Sequence, residues 1–177
     1  MYSLTKASFK IPELRDIDCR VFAYDETVRA GRIEPEKLMA EYGEPKTKVV
    51  VGMVGVQTNM FPRAHDLARE FQALGATVVI GGFHVSGSIT MLHDGKDKDI
   101  PCPKVMPKEC DELLEEGIII FHGEAEEVWP KVLSDIACGE HRLLYRGGQP
   151  NLQKAPLPEY PRNYFDGFFS SIYTMDT

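Results

Sequence analysis

Three runs of consecutive apolar residues each end in a glycine or polar cluster, and this pattern constrains the fold more than any other feature. The clearest run, Val78–Ile80, leads directly into the segment 81–84. A strand without polar alternation is typical of a parallel sheet, whose strands are buried on both faces. Ligands of open α/β sheets bind just beyond the carboxyl ends of the strands. The first candidate site residues are therefore Gly81, Gly82, Phe83 and His84.

Two readings of this glycine pair remain open. Without Cβ atoms, Gly81 and Gly82 allow positive φ angles and let a flat ligand come close to the backbone. The alternative is a tight turn between a strand and a helix that needs glycine for its geometry alone. His84 is a possible ligand or polar contact, although histidines at strand ends more often hydrogen-bond to neighbouring backbone groups.

The other two apolar runs end in the same way. The run Val49–Val56 ends in the polar residues Gln57, Thr58 and Asn59, and the run Ile118–Phe121 ends in a segment that contains His122, Gly123 and Glu124. Because the carboxyl ends of parallel strands share one edge of a sheet, these clusters are expected to lie together. Their convergence predicts a ligand site better than any one of them does.

Amphipathic helices are predicted between these strands. Proline in a first turn and a following glycine bound a helix over Pro35–Tyr42, and a longer helix begins near Pro62. Its predicted buried stripe is Ala64, Leu67, Ala68, Phe71 and Leu74, with His65 on the solvated side. Further helices are expected over Lys108–Glu116 and from the 122–126 cluster to about Ala137. There, Glu124, Glu126 and Glu127 would favour the helix N-terminus.

This alternation of strands and helices predicts an α/β fold: a doubly wound, mainly parallel sheet of four or five strands in a flavodoxin-like, three-layer sandwich. Strands are also expected at Cys19–Tyr24 and, at the edge, Leu143–Arg146. Residues 8–11 and 171–175 are weaker strand candidates, and 86–107 is expected to be irregular. The predicted domain spans 1–148, and the proline-rich segment 149–177 is expected to be a linker followed by the start of a further domain.

Charge and composition exclude several classes of protein. The formal net charge of −7 disfavours binding to nucleic acid or to an anionic membrane. The sequence has neither an apolar run of membrane-spanning length nor a signal peptide, so a cytoplasmic location is expected. The four scattered cysteines are then free thiols. A zinc site from Cys102 and Cys110 with His93 or His122 would fit no standard ligand spacing.

The motifs together resemble a known family. The chain combines Gly-Val-Gln-Thr-Asn after one strand, Val-Val-Ile-Gly-Gly-Phe-His-Val-Ser-Gly around the next, Gly-Glu-Ala-Glu after a third and a later Tyr-Arg-Gly. In this order they resemble the N-terminal cobalamin-binding domain of B12-type radical SAM proteins, over roughly residues 19–165. The segment Ala155–Pro158 resembles the linker to the radical SAM barrel, and Ile172–Thr177 resembles the first strand of that barrel.

The resemblance implies a cobalamin held in the base-off form at the carboxyl ends of the strands, by Gln57, Thr58, Asn59, Gly81, Gly82, Phe83, His84, Gly123 and Glu124. A barrel, in cis or on a neighbouring chain, would hold a [4Fe–4S] cluster and S-adenosylmethionine. This sequence contains no three-cysteine cluster loop, so the chain is expected to stop just short of it. The Asp-x-His-x-x-Gly motif that provides a histidine ligand to cobalt in other cobalamin proteins is also missing, which implies binding without such a ligand.

Other α/β classes fit less well. A flavodoxin-like FMN domain would need a hydroxyl-rich phosphate loop after its first strand, and a receiver domain would need clustered aspartates at its strand ends. The main alternative is a degenerate Rossmann-like interaction domain that no longer binds a cofactor, because the usual first strand and helix of the domain are weak or missing in residues 1–18.

Overall fold

The computed structural model describes residues 1–26, 32–95 and 101–159. The strands are β1 (Val50–Met53), β2 (Thr77–Gly81), β3 (Ile119–His122) and β4 (Leu144–Arg146). The helices are α1 (Tyr2–Ser8), α2 (Pro35–Tyr42), α3 (Phe61–Ala73), α4 (Phe83–Leu92), α5 (Lys108–Glu115) and α6 (Trp129–Cys138), and a 3₁₀ turn spans Leu152–Lys154.

The four strands form one parallel sheet in the order β1-β2-β3-β4. The central strands β2 and β3 are buried, whereas β1 and β4 are the edges of this sheet and are more accessible. This arrangement confirms the parallel sheet predicted from the continuous apolar runs. The two central strands are the most buried because only they have neighbouring strands on both sides.

Helices cover both faces of the sheet. Side chains alternate along the strands, so Val78 and Ile80 point to the face covered by α3, α4 and α5. Val79 points to the opposite face, together with Ile119 and Phe121 of β3, and packs with residues of α1 and α6. The predicted fold class, a doubly wound Rossmann-like α/β sandwich, is therefore confirmed.

The predicted helices form where their start and stop signals place them. Pro35, Pro62 and Pro130 lie in the first turns of α2, α3 and α6, where no backbone N–H is required. Gly139 ends α6 in the left-handed conformation. Most of the predicted α3 stripe is buried: Leu67, Ala68, Phe71. Leu74 is an exception, because it lies beyond the last helical turn and is 41% exposed.

Four predictions of local structure were wrong. Residues 19–24 are not a strand, because the segment lies against α2, where Phe22 stacks on Tyr42 at 4.3 Å between ring centroids. Residues 8–11 are the last residue of helix α1 and the turn after it, not a strand, and the segment 86–107 contains most of α4. The three glutamates at 124, 126 and 127 precede α6, which begins only at Trp129. The strand expected at 171–175 lies outside the described residues.

His65 was also predicted wrongly. It is buried, not solvated, and its Nε2 atom lies 2.9 Å from Oε2 of Glu116, the residue that ends α5. The carboxylate of Glu116 also accepts hydrogen bonds from Arg69. The buried ring of His65 thus has a hydrogen-bond partner from a distant part of the chain. The helical pattern alone could not show this partner and placed His65 in solvent.

Candidate functional site

The three predicted clusters lie at one edge of the sheet, as expected for parallel strands. The loops after β1 and β2 are joined by two backbone hydrogen bonds: Val56 N–H donates to Gly81 O at 3.2 Å and His84 N–H donates to Val56 O at 3.0 Å. The ends of β3 and β4 are joined by Gly147 N–H, which donates to His122 O at 2.8 Å. Backbone contacts thus fix the positions of all four strand ends.

Gln57, Thr58 and Asn59 form an exposed turn between β1 and α3. The backbone N–H of Met60 donates to Gln57 O at 3.0 Å, which closes the turn immediately before the helix. The amide and hydroxyl side chains of the three residues are therefore presented to solvent at the carboxyl edge, next to the N-terminus of α3.

The glycine pair serves the packing of the chain itself. Gly82 has a φ of 140°, and a Cβ atom there would lie 2.2 Å from Val56 N. A Cβ on Gly81 would lie 3.2 Å from Phe121 O. The space beside Gly82 is filled by the loop after β1, which favours the reading of a turn that needs glycine for its geometry.

Gly123, at the other end of the carboxyl edge of the sheet, is also a glycine that another part of the backbone approaches closely. Its φ is 89°, and an added Cβ would lie 2.6 Å from Gly147 O. The backbones of Gly147 and Glu124 also approach each other closely. Glu124 itself is exposed. Glycine is required here because two loops cross, and the side chain of Glu124 remains accessible.

His84 and Phe83 are adjacent in the sequence and have opposite environments. His84 is buried; its Nε2 lies 3.0 Å from Glu109 Oε2 and its ring lies 4.2 Å from that of Phe61. It therefore links the start of α4 to the start of α5, whose Glu109 side chain is 54% exposed. Phe83 is 71% exposed and begins α4. Of these two candidates, Phe83 is the one available to a ligand.

Helix α4 runs across the carboxyl edge, from the end of β2 towards the ends of β3 and β4. Two of its side chains and one just after the helix, spaced four residues apart, contact those ends. Ser86 Oγ accepts from Gly123 N–H at 3.1 Å, and Thr90 Oγ1 lies 3.0 Å from His122 Nε2. Asp94, just after the helix, forms an ion pair with Arg146 of β4. We call Thr90, Asp94, His122 and Arg146 the strand-end network.

The charges of this network perturb one another. Burial lowers the pKa of His122, the positive charge of Arg146 lowers it further, and the opposing effects of Asp94 and of the Ser86 contact are smaller. Burial alone would raise the pKa of Asp94, but hydrogen bonds from His93 and Arg146 outweigh it, and the pKa is lowered. The favoured state is therefore a neutral imidazole beside an ionised carboxylate and a guanidinium.

The outward face of α4 is apolar and uncovered. Phe83, Gly87 and Met91 repeat at four-residue steps and so share one face of the helix. Phe83 and Met91 are 71% and 67% exposed, and a Cβ on Gly87 would lie 4.0 Å from the ring of Phe83. On the helical wheel this outer stripe of α4 adjoins the side that bears Ser86 and Thr90. An apolar surface therefore borders the polar strand-end network.

No metal site is evident in the part of the chain that the structure describes. Within residues 1–26, 32–95 and 101–159, no three His, Cys, Asp or Glu side chains lie close enough together to hold a metal ion. All four cysteines are free thiols, and burial raises the pKa of Cys110 to about 11. The same ranges contain no helix long and apolar enough to cross a membrane.

Sequence reasoning missed most of the strand-end network. Thr90 and Asp94 were not site candidates, because 86–107 was expected to be irregular, and Arg146 was assigned only to an edge strand. The available signal was the four-residue spacing of Ser86, Thr90 and Asp94, which places polar groups on one side of a helix. Arg146 follows the rule that functional side chains lie at strand ends.

Comparisons with known proteins give little further information. No protein-family model and no curated protein matches the chain. One solved structure, described as the N-terminal domain of the hypothetical protein TM0182 of Thermotoga maritima, aligns with a TM-score of 0.43 and 17% sequence identity. The alignment covers 80% of this chain and 88% of that one.

Proposed function

We propose that this α/β domain binds a cobalamin in the base-off form at the carboxyl edge of its sheet, as one part of a radical SAM enzyme. The motifs at the ends of β1, β2 and β3 support the choice of ligand through their family resemblance. Bound cobalamin would supply a cobalt centre for a methyl transfer or another radical reaction. The barrel that would hold the [4Fe–4S] cluster and S-adenosylmethionine is a separate part, in cis or on a neighbouring chain.

The observation that supports this proposal most is the uncovered outer stripe of α4 beside the polar strand ends. A large, flat ligand with polar arms needs an apolar surface and hydrogen-bonding groups around it. Phe83 and Met91 provide the first, and the exposed turn at 57–59 provides the second. Large apolar side chains left in solvent at such an edge are typical of a binding surface.

The side chains present fit this ligand only in part. The gap left by Gly82 is filled by the backbone of Val56, so we assign no ligand contact to it. His84 is engaged with Glu109, consistent with a cobalt that receives no histidine from this domain. We assign the contacts instead to Gln57, Thr58, Asn59, Phe83, Gly87, Met91 and Glu124.

The proposal is tested by titrating the protein with hydroxocobalamin and following the absorbance spectrum. Wild type is expected to show the change from base-on to base-off cobalamin. Phe83→Ala is expected to weaken binding about tenfold, because an aromatic contact contributes up to about 1.5 kcal/mol. The matched control is Leu74→Ala, which truncates an exposed apolar residue at the end of α3 and is expected to bind like wild type.

The outcomes separate the two functions that the sequence left open. No spectral change at high micromolar ligand, with a folded protein, would overturn the proposal and favour the degenerate interaction domain. Equal binding by Phe83→Ala and wild type would contradict the assignment of the site to the outer stripe of α4.

A further inference from the structure

Polar contacts hold the segment 90–94, which comprises the last turn of α4 and the two residues after it. The earlier part of α4 is fixed in the core by Val85 and Ile89 and by the contact between His84 and Glu109. The segment 90–94 contacts the strand ends through Thr90 with His122 and Asp94 with Arg146. It is also tied to the segment before α5, because Leu92 O accepts hydrogen bonds from Val105 N–H and Cys102 Sγ. The hold on the strand ends therefore depends on the ionisation of a few groups.

His122 is the group in this network whose charge changes near neutral pH. Its side chain is 15% exposed, and its Nε2 is hydrogen-bonded to Thr90 Oγ1 at 3.0 Å. Its Nδ1 is buried and has no hydrogen-bond partner among the described residues. A second proton on the ring would therefore be a buried donor without an acceptor, on a ring that is now charged.

The neighbouring groups offset the cost of that charge only in part. His122 faces Thr90 and Asp94 of the α4 segment, Arg146 of β4 and the backbone of Ser86. Burial and the positive charge of Arg146 lower the pKa of His122 by more than Asp94 and the Ser86 backbone raise it. Asp94 is the one anion among these groups, and its carboxylate is already bonded to His93 at 2.6 Å and to Arg146. The distance from His122 Nε2 to Asp94 Oδ2 is 3.9 Å, beyond a hydrogen bond.

We propose that His122 is a pH-sensitive latch: when neutral it holds the segment 90–94 on the strand ends, and when protonated it releases that segment. Release would move Met91 and Asp94 while leaving Val85 and Ile89 in the core. Because Met91 belongs to the outer stripe of α4, acid would then alter the candidate ligand surface. The latch itself is a property of the folded chain and does not depend on the proposed ligand.

The lowered pKa of His122 agrees in sign with this geometry. The folded state favours the neutral imidazole, so the contribution of His122 to stability is full above its ordinary pKa of 6.5. That contribution is lost as the pH falls from 6.5 through the lower folded-state pKa.

The test is backbone amide hydrogen exchange at about pH 7.5 and about pH 5.5, corrected for intrinsic rates, on wild type and His122→Asn. In wild type, we expect the opening of residues 90–94 to increase on the order of tenfold at the lower pH, because protonation of His122 favours the released state. Residues of β2 should stay protected. Asparagine can still hydrogen-bond to Thr90 but cannot titrate. The exchange of residues 90–94 in His122→Asn should therefore not change between the two pH values.

Two controls keep the test decisive. His141→Asn removes a histidine on the exposed loop before β4 and should behave like wild type. The titration of the His122 ring is measured directly by NMR, so the result does not depend on how well His122→Asn folds. A wild-type exchange profile without pH dependence, the same dependence in folded His122→Asn, or a His122 pKa at or above 6.5 would each overturn the proposal.

Discussion

Helices α4 and α5 pack on the same face of the sheet, and they distribute their polar residues in opposite ways. Helix α5 buries Cys110 and Leu113 completely and exposes charged residues on its other sides. Helix α4 buries Val85 and Ile89 and has no Asp, Glu, Lys or Arg anywhere between Phe83 and Leu92. The buried residues Cys110 and Leu113 of α5 are explained by packing in the core. Packing does not explain why Phe83 and Met91 of α4 are apolar, because both are exposed.

The two helices also differ in how they are attached. A histidine and glutamate pair fixes each end of α5: His84 with Glu109 at its start, and His65 with Glu116 at its end. Helix α4 is attached by its buried residues near the start and by the strand-end network near its end. Helix α5 is therefore a structural helix, whereas packing among the described residues leaves the outer stripe of α4 exposed.

The largest expected difference between the helices comes from truncating one apolar residue in each. Leu113→Ala is expected to lower the free energy of unfolding by about 2–5 kcal/mol, because it leaves a cavity in the core. Met91→Ala is expected to change it by less than about 0.5 kcal/mol, because the side chain is 67% exposed. Urea denaturation measures both, and equal losses would show that α4 is as structural as α5.

A smaller effect is expected at the end of α5. His65→Ala should lower the free energy of unfolding by about 1–3 kcal/mol, because it removes a buried partner of the Glu116 carboxylate. His141→Ala, at an exposed position, should cost almost nothing. If thermal unfolding shifted equally in the two variants, the contact between His65 and Glu116 would not anchor the helix.

The smallest effect is a pH dependence at the same site. Hydrogen bonding to Arg69 lowers the pKa of Glu116, and that to His65 adds to it, although burial opposes both. The stabilising contribution of the carboxylate is therefore present above the ordinary pKa of 4.5 and is lost as the pH falls through the folded-state value.

The variant that isolates this contribution is Glu116→Gln. At neutral pH it should be less stable than wild type by up to about 1 kcal/mol, as partly exposed ion pairs contribute little. Urea denaturation at a series of pH values should show the gap closing below pH 4.5. A gap that stays constant down to strongly acidic pH would mean that the ionised carboxylate of Glu116 does not stabilise α5.

The buried sheet could be predicted from the sequence because burial on both faces leaves a local signature. The run Val78–Ile80 has no polar residue, and the structure places it between two layers of helices. Helices α2, α3 and α5 were predictable for a similar reason: each has one buried face and clear start or stop residues.

Helix α4 could not be predicted in this way. Its inner and outer faces are both apolar, so no amphipathic period is visible, and Ser86, Gly87 and Ser88 are weak helix formers. The helix forms because Val85 and Ile89 fill the core above β2 and β3. Missing it also meant missing the network that includes Thr90 and Asp94, because those side chains converge only when the helix is in place.

The segment 19–24 shows the opposite error. Its residues favour a strand, yet tertiary contacts with α2 decide its conformation: Phe22 stacks on Tyr42, and the hydroxyl groups of Tyr24 and Tyr42 lie 2.8 Å apart. The glycine pair was located correctly at the end of β2. The reason for glycine there is not visible in any local pattern, since Val56 approaches Gly82 from the loop after β1.

The short outer strands of the sheet affect how the protein behaves at high concentration. Thr77 N–H donates to Val49 O, so alternate peptide groups of β1 face β2, and those of Val50 and Gly52 face away from the sheet. An open edge is a template on which chains can join into fibres. Strand β1 has four residues, and the peptide groups of only two of them face away from the sheet. Strand β4 has only three residues. Neither edge strand therefore offers a long row of hydrogen-bonding groups to a second sheet. Over the described residues, the shortness of both edge strands therefore limits edge-to-edge aggregation.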